Sequence, residues 1–157
     1  MNVFVTGADG FVGRYLVRHL LTAGHSVRAG IRPAAAPGAD WLTAEERAAV
    51  EWVPFELLDG ASVHAALHAA PCDAIVHLAA MASNAEARRD PAAAWMINAV
   101  GTARVAEEAG ALRDTGASDP TLLVVSSGEV YGAAGHVLRE TDPALPQSPY
   151  AATKVAA

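Results

Sequence analysis

The chain is predicted to be an α/β protein built on a doubly wound parallel sheet, and three observations predict it. Short β-rich apolar runs recur along the whole sequence, stretches of helical period separate them, and a glycine-spaced turn follows the first run. Strands that read as continuous apolar runs, not alternating ones, are buried on both faces, and the intervening helices supply the cover.

The elements follow in order. Residues 3–5 form a first strand almost at Met1. Val12, Leu16, Leu20 and Ala23 then fall on one helical face and Arg14 and Arg18 on the other, with Gly24 as the C-terminal cap. Further strands are expected at 27–31, 50–55, 73–78 and 122–125, and further helices near 43–49, 61–69 and 91–111. The Pro/Ala/Gly-rich stretch 33–40 reads as a loop inside one domain, not as a boundary.

Ser148 is an N-cap and Pro149 a first helical residue for a last helix running from Tyr150 to Ala157. No glycine, proline or other stop signal closes that helix. Residues 1–157 therefore read as the N-terminal part of a dinucleotide-binding domain, truncated before its last strands and without a C-terminal substrate-binding part. A short terminal helix in a complete small protein is the alternative.

Composition narrows the function. A chain of 157 residues with 52% hydrophobic residues supports one domain with a substantial core. Its net charge of −6 and lack of a basic block argue against a nucleic-acid surface, while leaving small anionic ligands open. Apolar stretches such as Ala74-Ile75-Val76 are too short to span a membrane, and the immediate first strand leaves no room for a leader. Cys72 is the single cysteine and has no internal disulfide partner, so a cytoplasmic location is expected.

Residues 6–13 read Thr-Gly-Ala-Asp-Gly-Phe-Val-Gly between the first strand and the first helix. Gly7 would permit the tight turn, Gly10 the close approach of a pyrophosphate, and Gly13 close packing of helix on strand. The phosphates would meet the free amides that open the helix, Phe11 and Val12 among them. This is the opening of a Rossmann-type fold, although three glycines alone also suit a purely structural turn. No acidic residue ends the second strand, as ribose recognition in NAD would require; Arg32, with Arg28 as a second candidate, favours the 2′-phosphate of NADP. NAD stays open as the alternative cofactor.

Tyr150 and Lys154 are spaced Tyr-x-x-x-Lys, about one helical turn apart and on one face. An ammonium group beside a phenol favours the phenolate, whose ordinary pKa is about 10, and so suits proton exchange. An exposed helical pair of no catalytic significance would have the same spacing. His64 and His68 have the i, i+4 spacing of a metal pair, but the nearby sequence offers no third donor, so a solvated helix face and no metal site are expected. His77, at a strand end, is expected to be packed and hydrogen-bonded.

Five motifs then occur in order: residues 6–13, His77-Leu78-Ala79-Ala80, Asn98 with Gly101-Thr102, Ser126-Ser127-Gly128-Glu129-Val130-Tyr131-Gly132, and Ser148-Pro149-Tyr150-Ala151-Ala152-Thr153-Lys154. Together they resemble the extended short-chain dehydrogenases/reductases, in particular the NAD(P)-dependent epimerases and dehydratases that modify nucleotide sugars. The resemblance covers residues 3–157. It implies that Tyr150 exchanges a proton with a sugar hydroxyl while the nicotinamide exchanges hydride with the attached carbon. Lys154 would hold the nicotinamide ribose and poise the tyrosine, and Ser127 would hydrogen-bond the reacting oxygen. Ala79 and Ala80 would line the cofactor by their backbone, with Leu57 beside it, and Asn98 would order the site. Glu56 stands where relatives commonly have an aspartate at the adenine, and Met81 where some have glutamine.

The Ser127 segment bears on the reaction. Dehydratase relatives place an Asp-Glu pair after the Ser/Thr; here the pair is Gly128-Glu129, so the possible base is present and the acid missing. The pattern resembles reductases of GDP-4-keto-6-deoxymannose, with dehydratase and epimerase as alternatives. The implied partner is a nucleotide sugar, with a homodimer for the full-length protein. A non-catalytic dinucleotide-binding module is the reading from another class, and an inactive fragment a third.

Overall fold

A computed structural model describes residues 1–35 and 41–157. Five parallel strands form one sheet: β1 (Asn2–Thr6), β2 (Ser26–Ile31), β3 (Val50–Pro54), β4 (Ala74–His77) and β5 (Thr121–Val124). They lie in the order β3-β2-β1-β4-β5. Val3 is in register with Val27 on one side and Ala74 on the other. The chain thus steps outward from β1 to β3, returns past β1 to β4, and leaves a switch of direction between β1 and β4. Ligands of such sheets bind outside the carboxyl ends of the strands at that switch.

Helices cover both faces, as the apolar runs require. On one face α1 (Phe11–Thr22) and Leu42, just before the short helix α2 (Ala44–Ala48), cover Val3, Val5, Val27, Ala29 and Ile31. On the other, α3 (Gly60–His68) and the long helix that precedes β5 cover Phe4, Phe55 and Ile75. Neighbours Val3, Phe4 and Val5 alternate between the faces, as strand geometry demands, and each is buried. Full burial of each such side chain contributes about 1.5–3 kcal/mol.

Between β4 and β5 the structure is richer than the single helix expected at 91–111. A six-residue helix, α4 (Asn84–Arg89), comes first, capped by Ser83, whose Oγ accepts from the Glu86 amide at 3.2 Å. A continuous helical run follows: α5 (Pro91–Trp95), a π-helical turn (Met96–Val100) and α6 (Gly101–Asp114). A Cβ on Gly101 would lie 2.6 Å from Leu57 Cγ, so the run packs closely there. After β5 come a 3₁₀ turn (Gly128–Tyr131) and α7 (Pro149–Ala156). Ser148 caps α7 as expected, its Oγ accepting from the Ala151 amide at 3.0 Å.

The loop expected at 33–40 begins with a turn in which the Ala35 amide donates to Arg32 oxygen at 2.8 Å; residues 36–40 lie outside the described residues. Among the described residues, no helix is long and apolar enough to cross a membrane.

Candidate active site

The glycine loop lies at the switch. Gly7 has φ +65°, and a Cβ on it would lie 2.8 Å from the Ala79 nitrogen. A Cβ on Gly13 would lie 2.3 Å from the Gly7 carbonyl oxygen, so α1 can begin against this loop only without one. Gly10 is the N-cap of α1 and provides no side-chain acceptor. By contrast, α2, α3, α4, α5 and α7 begin at Thr43, Asp59, Ser83, Asp90 and Ser148, each accepting a backbone N–H through its side chain. The first-turn amides of α1, those of Phe11 and Val12, are therefore available to an external anion. The side chains of Phe11 and Val12 are exposed, so their part is played by the backbone.

A cleft of about 380 Å³ opens beside this loop. Gly7, Gly10, Arg32 and Glu56 line it, as do Leu57, Ala79 and Ala80. Seven of the residues expected to hold the cofactor are thus gathered in one place. The Glu56 carboxylate accepts from the Leu58 amide at 3.3 Å, closing the turn after β3. Arg32, largely exposed at the cleft mouth, pairs with Asp9 at 3.5 Å.

Arg28 is a correction. Expected as a second candidate for the 2′-phosphate, it is 5% exposed and points into the sheet's cover. It pairs with Glu51, its register partner on β3, at 3.2 Å and donates to the Ala66 and Ala70 carbonyls. Its guanidinium also lies 5.3 Å from the centre of the Phe4 ring. These bonds satisfy a buried cation and leave it no route to a ligand.

A buried polar chain supports the cleft floor. Thr6 Oγ1 accepts from the amides of Leu78 (3.1 Å) and Ala79 (3.0 Å), which uses both lone pairs. Its proton therefore goes to His77 Nδ1, 2.8 Å away. That fixes the neutral tautomer with hydrogen on Nε2, which donates to Thr102 Oγ1 at 3.2 Å; Thr102 donates on to the Asn98 carbonyl at 2.5 Å. Burial, aided by the nearby Lys154 charge, lowers the His77 pKa to about 4, consistent with this neutral form. His77 is thus packed and hydrogen-bonded, as expected.

Asn98 lies behind the cleft wall, not on it. Its Oδ1 accepts from the Met81 amide at 2.8 Å, and its Nδ2 donates to the Met81 carbonyl and to Thr153 Oγ1. It ties the strand-end loop to the π-helical turn and to α7. Tyr150 is 8% exposed and packs with Ala87 and Ala94, with Met81 beside them.

Lys154 reaches the segment that follows β5. Its Nζ donates to the Val125 carbonyl at 2.8 Å, and desolvation lowers its pKa. Ser127, two residues further on, caps the 3₁₀ turn by accepting from the Glu129 amide at 3.2 Å. Both oxygens of Glu129 accept from Asn84 Nδ2, at 2.7 and 2.6 Å. Asn84 is a site residue the sequence reading lacks; it comes from the short helix α4, which shows no apolar periodicity.

The glycine cradle, the uncapped α1 terminus and the Arg32 cation fit a dinucleotide. With a Tyr-x-x-x-Lys helix docked at the end of β5, they define a Rossmann-type short-chain dehydrogenase/reductase. The chain belongs to the NAD dependent epimerase/dehydratase family, whose model matches residues 3–157. It is 37% identical to a UDP-glucose 4-epimerase of Mycolicibacterium smegmatis, over 99% of this chain and 49% of that protein. It is 36% identical to a GDP-6-deoxy-D-mannose reductase of Pseudomonas aeruginosa, over 99% of this chain and 44% of that protein. Among solved structures, the NAD complex of the Thermus thermophilus UDP-glucose 4-epimerase superposes with a TM-score of 0.82 at 30% identity, over 99% of this chain and 48% of that one. The chain spans about half the length of the curated relatives it matches.

Proposed function

We propose that this chain is the cofactor-binding part of an NADP-dependent reductase acting on a nucleotide-linked 4-keto-6-deoxyhexose. The observation that carries the choice of reaction is the double hydrogen bond from Asn84 to Glu129. Dehydration needs a free base and a paired acid beside the ketone; Glu129 is tethered, and Gly128 stands where the acid would be. Reduction needs neither.

The residues divide the work as follows. The first-turn amides of α1 bind the pyrophosphate, Arg32 the 2′-phosphate, and the Leu57, Ala79 and Ala80 wall the adenosine end. Ser127 hydrogen-bonds the ketone oxygen and aligns it. Nicotinamide held in this cleft would supply the hydride that the carbonyl carbon takes up. Tyr150 gives its proton to the oxygen, leaving a secondary alcohol, and Lys154 favours the resulting phenolate. A further C-terminal segment supplies the nucleotide-sugar pocket and completes the sheet beyond β5, where Leu123 and Val125 are exposed.

Epimerisation at the same carbon is the second reading, favoured by the identity to the mycobacterial 4-epimerase. The test is an assay of the full-length protein with NADPH and a nucleotide-linked 4-keto-6-deoxyhexose. Stoichiometric NADPH oxidation that is lost in Tyr150→Phe is expected. Interconversion of 4-hydroxy epimers without net consumption of cofactor would replace reduction by epimerisation. Full turnover in Tyr150→Phe would reject the mechanism.

A further inference from the structure

On the face of the sheet carrying α3 and α6, three side chains from two helices converge. His64 Nδ1 and His68 Nε2 each lie 2.9 Å from the same oxygen, Oε2 of Glu108. The donor atoms all lie within 4.8 Å of one another. The sequence gives the histidine pair one turn apart on α3, and the fold brings the third donor from 40 or more residues away on α6. The two imidazoles stack with ring centroids 4.1 Å apart, so both present an edge to the carboxylate. The side chains of His68 and Glu108 are 23% and 22% exposed, and that of His64 is 60% exposed. The cluster is anchored from below and open to water above.

We infer that His64, His68 and Glu108 form a binding site for a divalent transition-metal ion of the zinc class, with water in the fourth position. Two imidazole nitrogens and one carboxylate oxygen make a borderline donor set, suited to zinc, cobalt, nickel or copper and poorly suited to magnesium or calcium, which take oxygen ligands. The size also fits. Tetrahedral bonds of about 2.0–2.1 Å place neighbouring ligand atoms roughly 3.3–3.4 Å apart. The nitrogen-to-oxygen separations here need to open by only a few tenths of an ångström. In the metal-free state the same atoms are held by imidazole N–H donation to the carboxylate, so the site is organised before the ion arrives.

The ion would act as a clamp between two helices, away from hydride chemistry. Glu108 lies seven residues beyond Gly101, about 10 Å further along α6 from the point where Gly101 packs on Leu57 at the cleft wall. Because α6 runs back from the carboxyl ends of the strands, this displacement carries Glu108 away from the glycine loop. The site therefore stands independently of the reaction proposed above.

The test is titration of the untagged chain with Co²⁺ alone, read by visible absorption, followed by displacement with Zn²⁺ and by thermal unfolding with and without Zn²⁺. One ion per chain is expected, with a four-coordinate cobalt spectrum and a Tm raised by Zn²⁺. His64→Ala and His68→Ala, with folding checked by circular dichroism, should abolish the spectrum and the Tm shift. Glu108→Gln should weaken binding at least tenfold, while dinucleotide binding stays unchanged in all three. His64 is largely exposed, so its variant is not expected to unfold. A second chelate must be discriminated, since the Met1 amino group lies 3.4 Å from His25 Nδ1. Absence of binding, or binding that survives His64→Ala and is lost in His25→Ala, would overturn the inference.

Discussion

Lys154 Nζ donates to the main-chain carbonyl of Val125 at 2.8 Å, joining the last helix to the strand end that carries Ser127. Ser126 Oγ returns a bond to the Lys154 carbonyl at 3.2 Å. The lysine thus holds α7 against β5 while keeping its charge close to His77, whose pKa it helps to lower.

Replacing Lys154 by methionine should therefore have two separable effects. Turnover of the full-length protein in the proposed reaction should fall about 10²–10⁴-fold, the range for loss of an acid–base contribution. The His77 pKa should rise from about 4 but remain below 6.5, because burial, the larger cause, is untouched. An NMR titration of His77 in wild type and Lys154→Met reads this; an unchanged His77 would show that the two do not communicate.

His77 makes stability depend on pH in a defined window. Its pKa is lowered from 6.5 to about 4 in the folded state, so between those values the unfolded chain binds the proton and the native chain does not. Stability then rises with pH across the window, is fully present above pH 6.5, and is lost as pH falls towards 4. The loss from this one group is roughly 3 kcal/mol. Urea unfolding at several pH values should show it, and His77→Asn, which retains an acceptor for Thr6, should flatten that part of the profile. An equal acid dependence in the variant would assign the effect to carboxylates.

Gly13→Ala should disable the cofactor loop. The new Cβ would lie 2.3 Å from the Gly7 oxygen and 2.7 Å from Ala8 Cα, both backbone atoms that cannot swing aside. Overpacking of this kind costs about 1–3 kcal/mol or more, and displacement of α1 would misplace its first-turn amides. Denaturant unfolding and a fluorescence titration with NADPH should both report a loss. Wild-type stability and affinity in Gly13→Ala would refute close packing at this point.

The parts legible in the sequence were those determined by short-range pattern. Strands buried on both faces read as apolar runs, and the alternation of Val3, Phe4 and Val5 between two cores explains why. Ser148 capped its helix and Gly7 to Gly13 formed their turn because both depend on a few adjacent residues. Long-range pairings were not legible. Arg28 reads as a ligand-binding cation until strand register sets it against Glu51, and Asn84 acquires meaning only beside Glu129. The π-helical turn that buries Asn98 likewise leaves no mark on an otherwise helical sequence.

Asn98→Leu should loosen the site without altering any group that touches the substrate. The change strips partners from the part-buried Met81 amide and carbonyl and from the buried Thr153 hydroxyl. An unsatisfied buried group costs about 1–3 kcal/mol, so a drop of several kcal/mol in unfolding free energy is expected. Hydrogen exchange should rise at Met81 and along α7. Exchange confined to the π-helical turn would mean that Asn98 does not couple these elements.

Arg32→Ala should separate the two nicotinamide cofactors. The Arg32 side chain is 79% exposed beside the glycine loop, and among the described residues its ionic partner is Asp9 at 3.5 Å, so its guanidinium can turn to a phosphate at little cost. A hydrogen bond to a charged group contributes about 1.5–3 kcal/mol, equivalent to a loss of roughly 10- to 150-fold in NADPH affinity when it is removed. NADH, which has a hydroxyl at that position, should lose almost nothing. In wild type, Asp9 pulls the opposite way by neutralising the arginine, so Asp9→Asn should tighten NADPH binding while leaving NADH unchanged. Parallel titrations of the three proteins test both claims. Equal losses of both cofactors in Arg32→Ala would make the arginine a support of the loop and return the preference to NAD.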